Sequence, residues 1–196
     1  MKSLKESIFS DVEDIVNSDS ALIEQFINDN YKIEGSYTIK DGVVDVKGTI
    51  RLTNRNAEFL TNGAFQFGTV SGGVSYFKCR KLKSLLGSPK KVEKGFYCYS
   101  CTSLVSLEGA PREVGADFSC IDCESLVSLA GAPEKVGRDF DCGVCPKLTS
   151  LEGAPKKVGG DFYCRNCVNL RLTDEDRQKY KIRNWTRPKK FHHKPS

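Results

Sequence analysis

Apolar positions along the chain fall into two regimes. Over the first 30 residues they recur at helical spacing, with Leu4, Ile8, Val12 and Ile15 in one stripe and Leu22, Ile23, Phe26 and Ile27 in another. Ser18 or Asp19 is a suitable cap between two short helices. The segment SYTIKDGVVDV then alternates like two strands joined through Asp41-Gly42, a strong hairpin signal. From about residue 46 the pattern repeats. Cys79, Cys101, Cys123, Cys145 and Cys167 recur every 22 residues, and so do Cys98, Cys120, Cys142 and Cys164. Three units, CTSLVSLEGAPREVGADFSC, CESLVSLAGAPEKVGRDFDC and CPKLTSLEGAPKKVGGDFYC, are close copies, and CRKLKSLLGSPKKVEKGFYC is a divergent one. Further upstream Val70, Val74 and Tyr76 stand where Val92, Phe96 and Cys98 stand one unit later, and VKGTIRL echoes VSGGVSY at a spacing of 24.

A period of this length with fixed apolar offsets predicts a leucine-rich-repeat-like solenoid with one parallel strand per coil, five or six strands in all. In DFYCRNC, Phe162 and Cys164 alternate with Asp161, Tyr163 and Arg165, which is strand period two with Phe and Cys inward. Cys167 follows three residues later, at the position whose side chain bonds the backbone of the next turn. Leu104, Leu126, Leu148 and Leu170 supply the next inward slot. Pro111, Pro133 and Pro155 hold the preceding Ala extended, and Gly109, Gly131 and Gly153 turn the chain. Val114, Val136 and Val158 close the back of each coil, each followed by a Gly. The expected organisation is an N-terminal helical and hairpin cap over 1–45, a solenoid over 46–172, and a short capping helix with a basic tail over 173–196. Caps are expected because an open solenoid end exposes strand edges and core.

Composition sets the outer limits. The chain has 196 residues with 39% hydrophobic and 28% charged content, which is globular rather than disordered. No apolar run reaches the roughly 18 residues that span a bilayer, and the N-terminus lacks the apolar core of a signal peptide. A reducing cytoplasm is the expected compartment, with no membrane partner. The formal charge of +5 is uneven: residues 1–34 hold three Lys against eight acids, whereas residues 171–196 hold nine Lys and Arg against three acids.

The unit L-x-S-L-E-G-A-P-x-x-V-G-x-D-F-x-C resembles a repeat in hypothetical proteins of T4-like tailed bacteriophages. Those proteins often open with a segment like MKSLKESI and a hairpin like YTIKDGVVDVKG, both present here. The resemblance covers the chain except the tail. Its copies commonly carry Asn where Cys101 or Cys123 stands, which implies a ladder residue rather than a metal ligand. It further implies host cytoplasm as the location. The implied role is host takeover or anti-defence, a DarT-type DNA-modifying toxin being one candidate partner.

Three groups of residues could carry chemistry. Cys98, Cys101, Cys120 and Cys123 have the C-x2-C…C-x2-C spacing of a zinc ribbon. The competing reading is a buried thiol ladder, because free Cys packs as a small hydrophobe. Equivalent cysteines would then recur about every 5 Å along a solenoid, with no reason to select one quartet, and Tyr76 in a Cys slot suits packing. Under that reading no cofactor is expected. Second, the outward positions Phe77, Tyr97, Tyr99, Asp117, Asp139, Asp141, Asp161, Tyr163 and Arg165 form columns of aromatics and acids on one face, suited to binding a partner protein. Alternatively, each Asp caps the turn beside its Gly. Third, Arg183, Trp185, Arg187, Lys189 and Lys190 could contact nucleic acid through the tail, or simply be solvated. No Ser/His/Asp set or phosphate loop stands out, and the repeats lack His, so no enzymatic activity is expected. The reading that results is a non-enzymatic protein-binding solenoid aimed at a host protein, with a nucleic-acid-associated protein or a zinc-stabilised module as alternatives.

Overall fold

The computed structural model describes residues 20–54, 57–58, 60, 65–180 and 182. Residues 20–30 form a helix, α1, that lays Ile23 and Ile27 into the core and sets Phe26 edge-on to Phe65 at 5.8 Å. Leu22, expected in the same stripe, points outward and is 57% exposed. The stripe through Leu4, Ile8, Val12 and Ile15, and the Ser18/Asp19 cap, lie outside the described residues.

Asp41 and Gly42 take φ of 51° and 69°, the left-handed pair that a two-residue type I′ turn requires. They join β1 (Tyr31–Lys40) to β2 (Val43–Leu52) in antiparallel register, from Lys40↔Val43 to Tyr31↔Leu52. β2 is also the first rung of the solenoid. On its other edge Val46 pairs in parallel with Val70, and Ile50 with Val74. Both pairs have the spacing of 24 that relates VKGTIRL to VSGGVSY.

The rest of the chain is a parallel β-solenoid. Each coil contributes two short strands that meet at a corner. One ladder runs through β3 (Gln66–Val70), β5 (Lys91–Val92), β7 (Glu113–Val114), β9 (Lys135–Val136) and β11 (Lys157–Val158). The other runs through β4 (Val74–Ser75), β6 (Phe96–Tyr97), β8 (Phe118–Ser119), β10 (Phe140–Asp141) and β12 (Phe162–Tyr163). The sequence pattern predicts the second ladder; the Val ladder is an addition. The corner between them explains it. At Gly115, Gly137 and Gly159 a Cβ would overlap the carbonyl oxygen of Glu93, Gly115 and Gly137, one coil earlier. Glycine lets the coils close to hydrogen-bonding distance there, and Gly137 N–H reaches Val114 O at 2.8 Å.

The interior is a set of stacked columns. Val92, Phe96, Cys98, Cys101, Leu104 and Leu107 of one coil are fully buried, and their counterparts one and two units later are buried with them. The phenyl column is continuous, with Phe96–Phe118 and Phe118–Phe140 centroids 5.2 and 5.3 Å apart and rings within 5° of parallel. Each such ring contributes about 1.5–3 kcal/mol by burial. Tyr76 is explained by its neighbour. Val74 occupies the Phe slot of that coil and leaves it underfilled, and the Tyr76 ring fills the gap by packing edge-on to Phe96 at 5.3 Å.

The last coil is closed by α2 (Asp174–Tyr180), which starts on a reciprocal cap. Asp176 N–H donates to Thr173 Oγ1 at 3.1 Å, and Thr173 N–H donates to Asp176 Oδ2 at 2.9 Å. Tyr180 then stacks on Phe162 at 4.7 Å, taking the place of a further coil's phenyl. No helix among the described residues is long and apolar enough to cross a membrane.

Candidate binding face

Outward side chains of the Phe–Cys strands form three parallel columns, because paired strands carry equivalent residues at one height per coil. The position before Phe holds Asp117, Asp139 and Asp161. The position after it holds Ser75, Tyr97, Ser119, Asp141 and Tyr163. The position after the first Cys slot holds Phe77, Tyr99, Ile121, Gly143 and Arg165. All nine residues singled out from the sequence therefore share one face. The face changes character along the solenoid axis, from aromatic near the N-terminal cap to acidic in the later coils.

At the aromatic end is a groove of about 500 Å³. Phe77, Tyr97 and Tyr99 line it together with Thr49, Arg51, Leu52 and Thr53 of β2 and Gly73, Val74 and Ser75 around β4. The Tyr97 and Tyr99 rings lie 5.5 Å apart at 32°, and Lys78 Nζ sits 5.0 Å over the Phe77 ring. Phe77 is 41% exposed. The β2 wall escapes sequence reasoning, because it is brought in by the parallel pairing of a hairpin arm to the first coil. The only signal for it is the weak echo of VSGGVSY in VKGTIRL.

At the acidic end the carboxylates are built into the backbone. Asp117 Oδ1 accepts from Asp139 N–H at 3.2 Å, and Asp139 Oδ1 from Asp161 N–H at 2.8 Å. Asp141 Oδ1 accepts from Gly143 N–H at 2.8 Å and faces Arg165 at 3.9 Å. Arg138 lies 3.6 Å from Asp117, and the Tyr163 hydroxyl donates to Asp161 at 3.1 Å. Burial raises the Asp141 carboxyl above its ordinary range, against the Gly143 N–H and Arg165, which lower it. Burial, then the Asp117 charge, raise the Tyr97 phenol. Between the two ends Ser119 stands on the outward side of its strand yet is only 4% exposed. It lies beside the Tyr99 hydroxyl; burial raises that phenol and Ser119 lowers it.

The cysteines lie on the other side of the same strands, inside. All nine are free thiols and buried. The second of each pair donates to the main chain of the coil before it, not the one after. Cys101 Sγ reaches Tyr76 O at 3.0 Å, Cys123 reaches Cys98 O at 3.3 Å, Cys145 reaches Cys120 O at 3.4 Å and Cys167 reaches Cys142 O at 3.1 Å. Contact with Cys123 and burial push the Cys98 thiol well up, contact with Cys167 and burial do the same to Cys142, and burial pushes Cys164 up to about 12. These three groups are held as thiols, whereas hydrogen bonds from Cys142 and Cys145 lower the Cys167 thiol to about 4. Of the quartet, Cys98 and Cys120 belong to the first-slot column and Cys101 and Cys123 to the second, and among the described residues no group of three or more His, Cys, Asp or Glu is arranged to hold a metal ion. Arg183, Trp185, Arg187, Lys189 and Lys190 lie outside the described residues.

Compared with known proteins, the chain matches no family model, no curated protein and no solved structure.

Proposed function

We propose that this chain is a non-enzymatic binding protein whose outer Phe–Cys face docks a partner protein. The observation that carries the reading is the groove lined by Phe77, Tyr97 and Tyr99. Aromatic side chains clustered in a concavity, on strands fixed by pairing on both sides, are the usual anchors of protein interfaces. A face held by main-chain ladders is already in its bound shape, so docking orders little of it and the free-energy cost of association is correspondingly small. The mechanism is occlusion: the solenoid covers a functional surface of its partner. The resemblance of the repeat to those of T4-like bacteriophage proteins supports a host protein as that partner, an anti-phage defence factor such as a DarT-type toxin among the candidates, met in the host cytoplasm.

Affinity capture from infected cells tests this. The wild-type chain should retain a discrete host protein, and Tyr97→Ala with Tyr99→Ala should release it while the circular dichroism spectrum stays unchanged. Retention that survives this double substitution and Phe77→Arg would refute the face. The second reading, nucleic-acid association through residues 183–196, is favoured by the excess of Lys and Arg there; it requires binding to duplex or single strands that falls steeply with salt.

A further inference from the structure

We infer that the segment this face receives is cationic and carries an aromatic residue: the ring enters the groove beside Tyr97 and Tyr99, and the cationic groups lie over Asp117, Asp139 and Asp141. The inference rests on the proposal that the face binds a partner protein, and it names that partner's chemistry.

Three observations support it. The first is the polarity of the face. Arg51, paired with Glu34 at 3.7 Å, and Lys78, over the Phe77 ring, rim the aromatic end, and among the described residues no carboxylate lines its groove, so that end accepts a ring rather than a cation. One to three coils further along, four aspartates share the face, Asp117 paired with Arg138 and Asp141 with Arg165. Asp139 has no ion pair among the described residues, and its Oδ1 is taken by Asp161 N–H, which leaves Oδ2 for a donor from outside. The second is Ser119. It lies between the groove and Asp141, on the line that a segment joining the two ends must cross. The third is spacing. Coils repeat about every 4.8 Å, so Tyr97 and Asp141 are roughly 10 Å apart along the axis, about three residues of extended chain. A ring and a cation three residues apart on one peptide span the two ends. Burial already disfavours the charged form of Asp141, and a cation laid over it would relieve that.

The test is fluorescence anisotropy with the full chain and a fluorescein-labelled synthetic peptide of lysines spaced by serines, with one tryptophan near its end. Binding is expected, weakened about tenfold or more by replacing the tryptophan with alanine and lost as salt screens the lysines. The protein variant Asp117→Asn, Asp139→Asn and Asp141→Asn should weaken it as much. Asparagine keeps the oxygen that accepts from Asp139, Asp161 and Gly143 N–H, so the fold is retained, and a thermal melt verifies this. The inference is overturned if the peptide does not bind, if a glutamate version binds equally well, or if the folded triple variant binds unchanged. It is also overturned if the chain sediments as a dimer that these substitutions dissociate, which assigns the face to a second copy. A gain in peptide affinity on Lys189→Glu with Lys190→Glu would overturn a separate partner in favour of the chain's own C-terminal segment. Host capture that still depends on Tyr97 and Tyr99 while the peptide fails would leave the binding face standing and remove only the cationic partner.

Discussion

The residue just before the second Cys slot of each unit decides what the Cys-x-x-Cys spacing means. Lys78, Ser100, Asp122, Val144 and Asn166 all have φ between 55° and 62°. A single left-handed residue reverses the chain after the inward first slot, so that the cysteine three positions on points inward again. Both sulfurs then face the core rather than a shared ion. The left-handed region suits Asn, Asp and Gly and disfavours β-branched side chains. Asp122 and Asn166 obey this preference, and Val144 does not. Replacing Val144 with Asn should therefore stabilise the protein by about 1 kcal/mol, seen as a higher urea midpoint at unchanged slope. The reverse change, Asn166→Val, should lower the midpoint by a similar amount. Equal midpoints for Val144→Asn and the parent would show that the turn is not strained.

At the level of the coil, the corner between the two ladders is as specific as the strands it joins. Gly137 N–H bonds Val114 O at 2.8 Å, and a Cβ on Gly137 would overlap the Gly115 carbonyl. Gly137→Ala must push two coils apart and should cost about 1–3 kcal/mol. Gly143→Ala meets the Asp141 carboxylate at 3.0 Å and the Arg165 side chain and carbonyl at 3.2 and 3.3 Å, far less close than the Gly115 carbonyl at Gly137, and should cost no more than about 0.5 kcal/mol. Paired thermal melts distinguish the two. The corner also shows where sequence reading stops. The Phe–Cys strand, the inward cysteines, the Asp41-Gly42 turn and the helix before Tyr180 were legible because alternation, period and turn chemistry are local. The Val strand was not, because two residues with one buried side chain, such as Lys135–Val136, are too short to show alternation. Nor was the bonding of Asp117 and Asp139 to the next coil's N–H, which depends on stacking rather than on local spacing. The aromatic and acidic columns could be read off the period, but the groove could not, since one wall belongs to β2.

For the molecule as a whole, stacking makes each coil a neighbour only of the coils beside it, and this gives the faces their character. The Val-ladder face carries Lys90, Lys91, Lys94, Arg112, Lys135, Lys156 and Lys157 against Glu93, Glu113 and Glu134, with Glu134 held between Arg112 at 3.3 Å and Lys156 at 3.6 Å. Round the corner the acids dominate. Energetics follow the same geometry: stability is close to a sum of coil terms and coil-to-coil interfaces. Deleting residues 118–139, one whole unit, joins Asp117 to Phe140 and restores the sequence Asp-Phe at the junction. Phe140 would then stack on Phe96 as Phe118 does at 5.2 Å, and Asp117 would accept from Asp161 N–H as Asp139 does at 2.8 Å. Arg112 would lose Glu134 and face Lys156, an exposed exchange worth about 1 kcal/mol at most. The shortened chain should fold cooperatively, with a denaturant slope reduced roughly in proportion to the surface it no longer buries. Deleting 118–137 instead stops two residues short of a unit and puts Arg138 in the buried position of Phe118. Every later strand is then out of phase with those before it, and that chain should not fold. If both deletions unfold, or both fold, the coils are not the independent units their geometry describes.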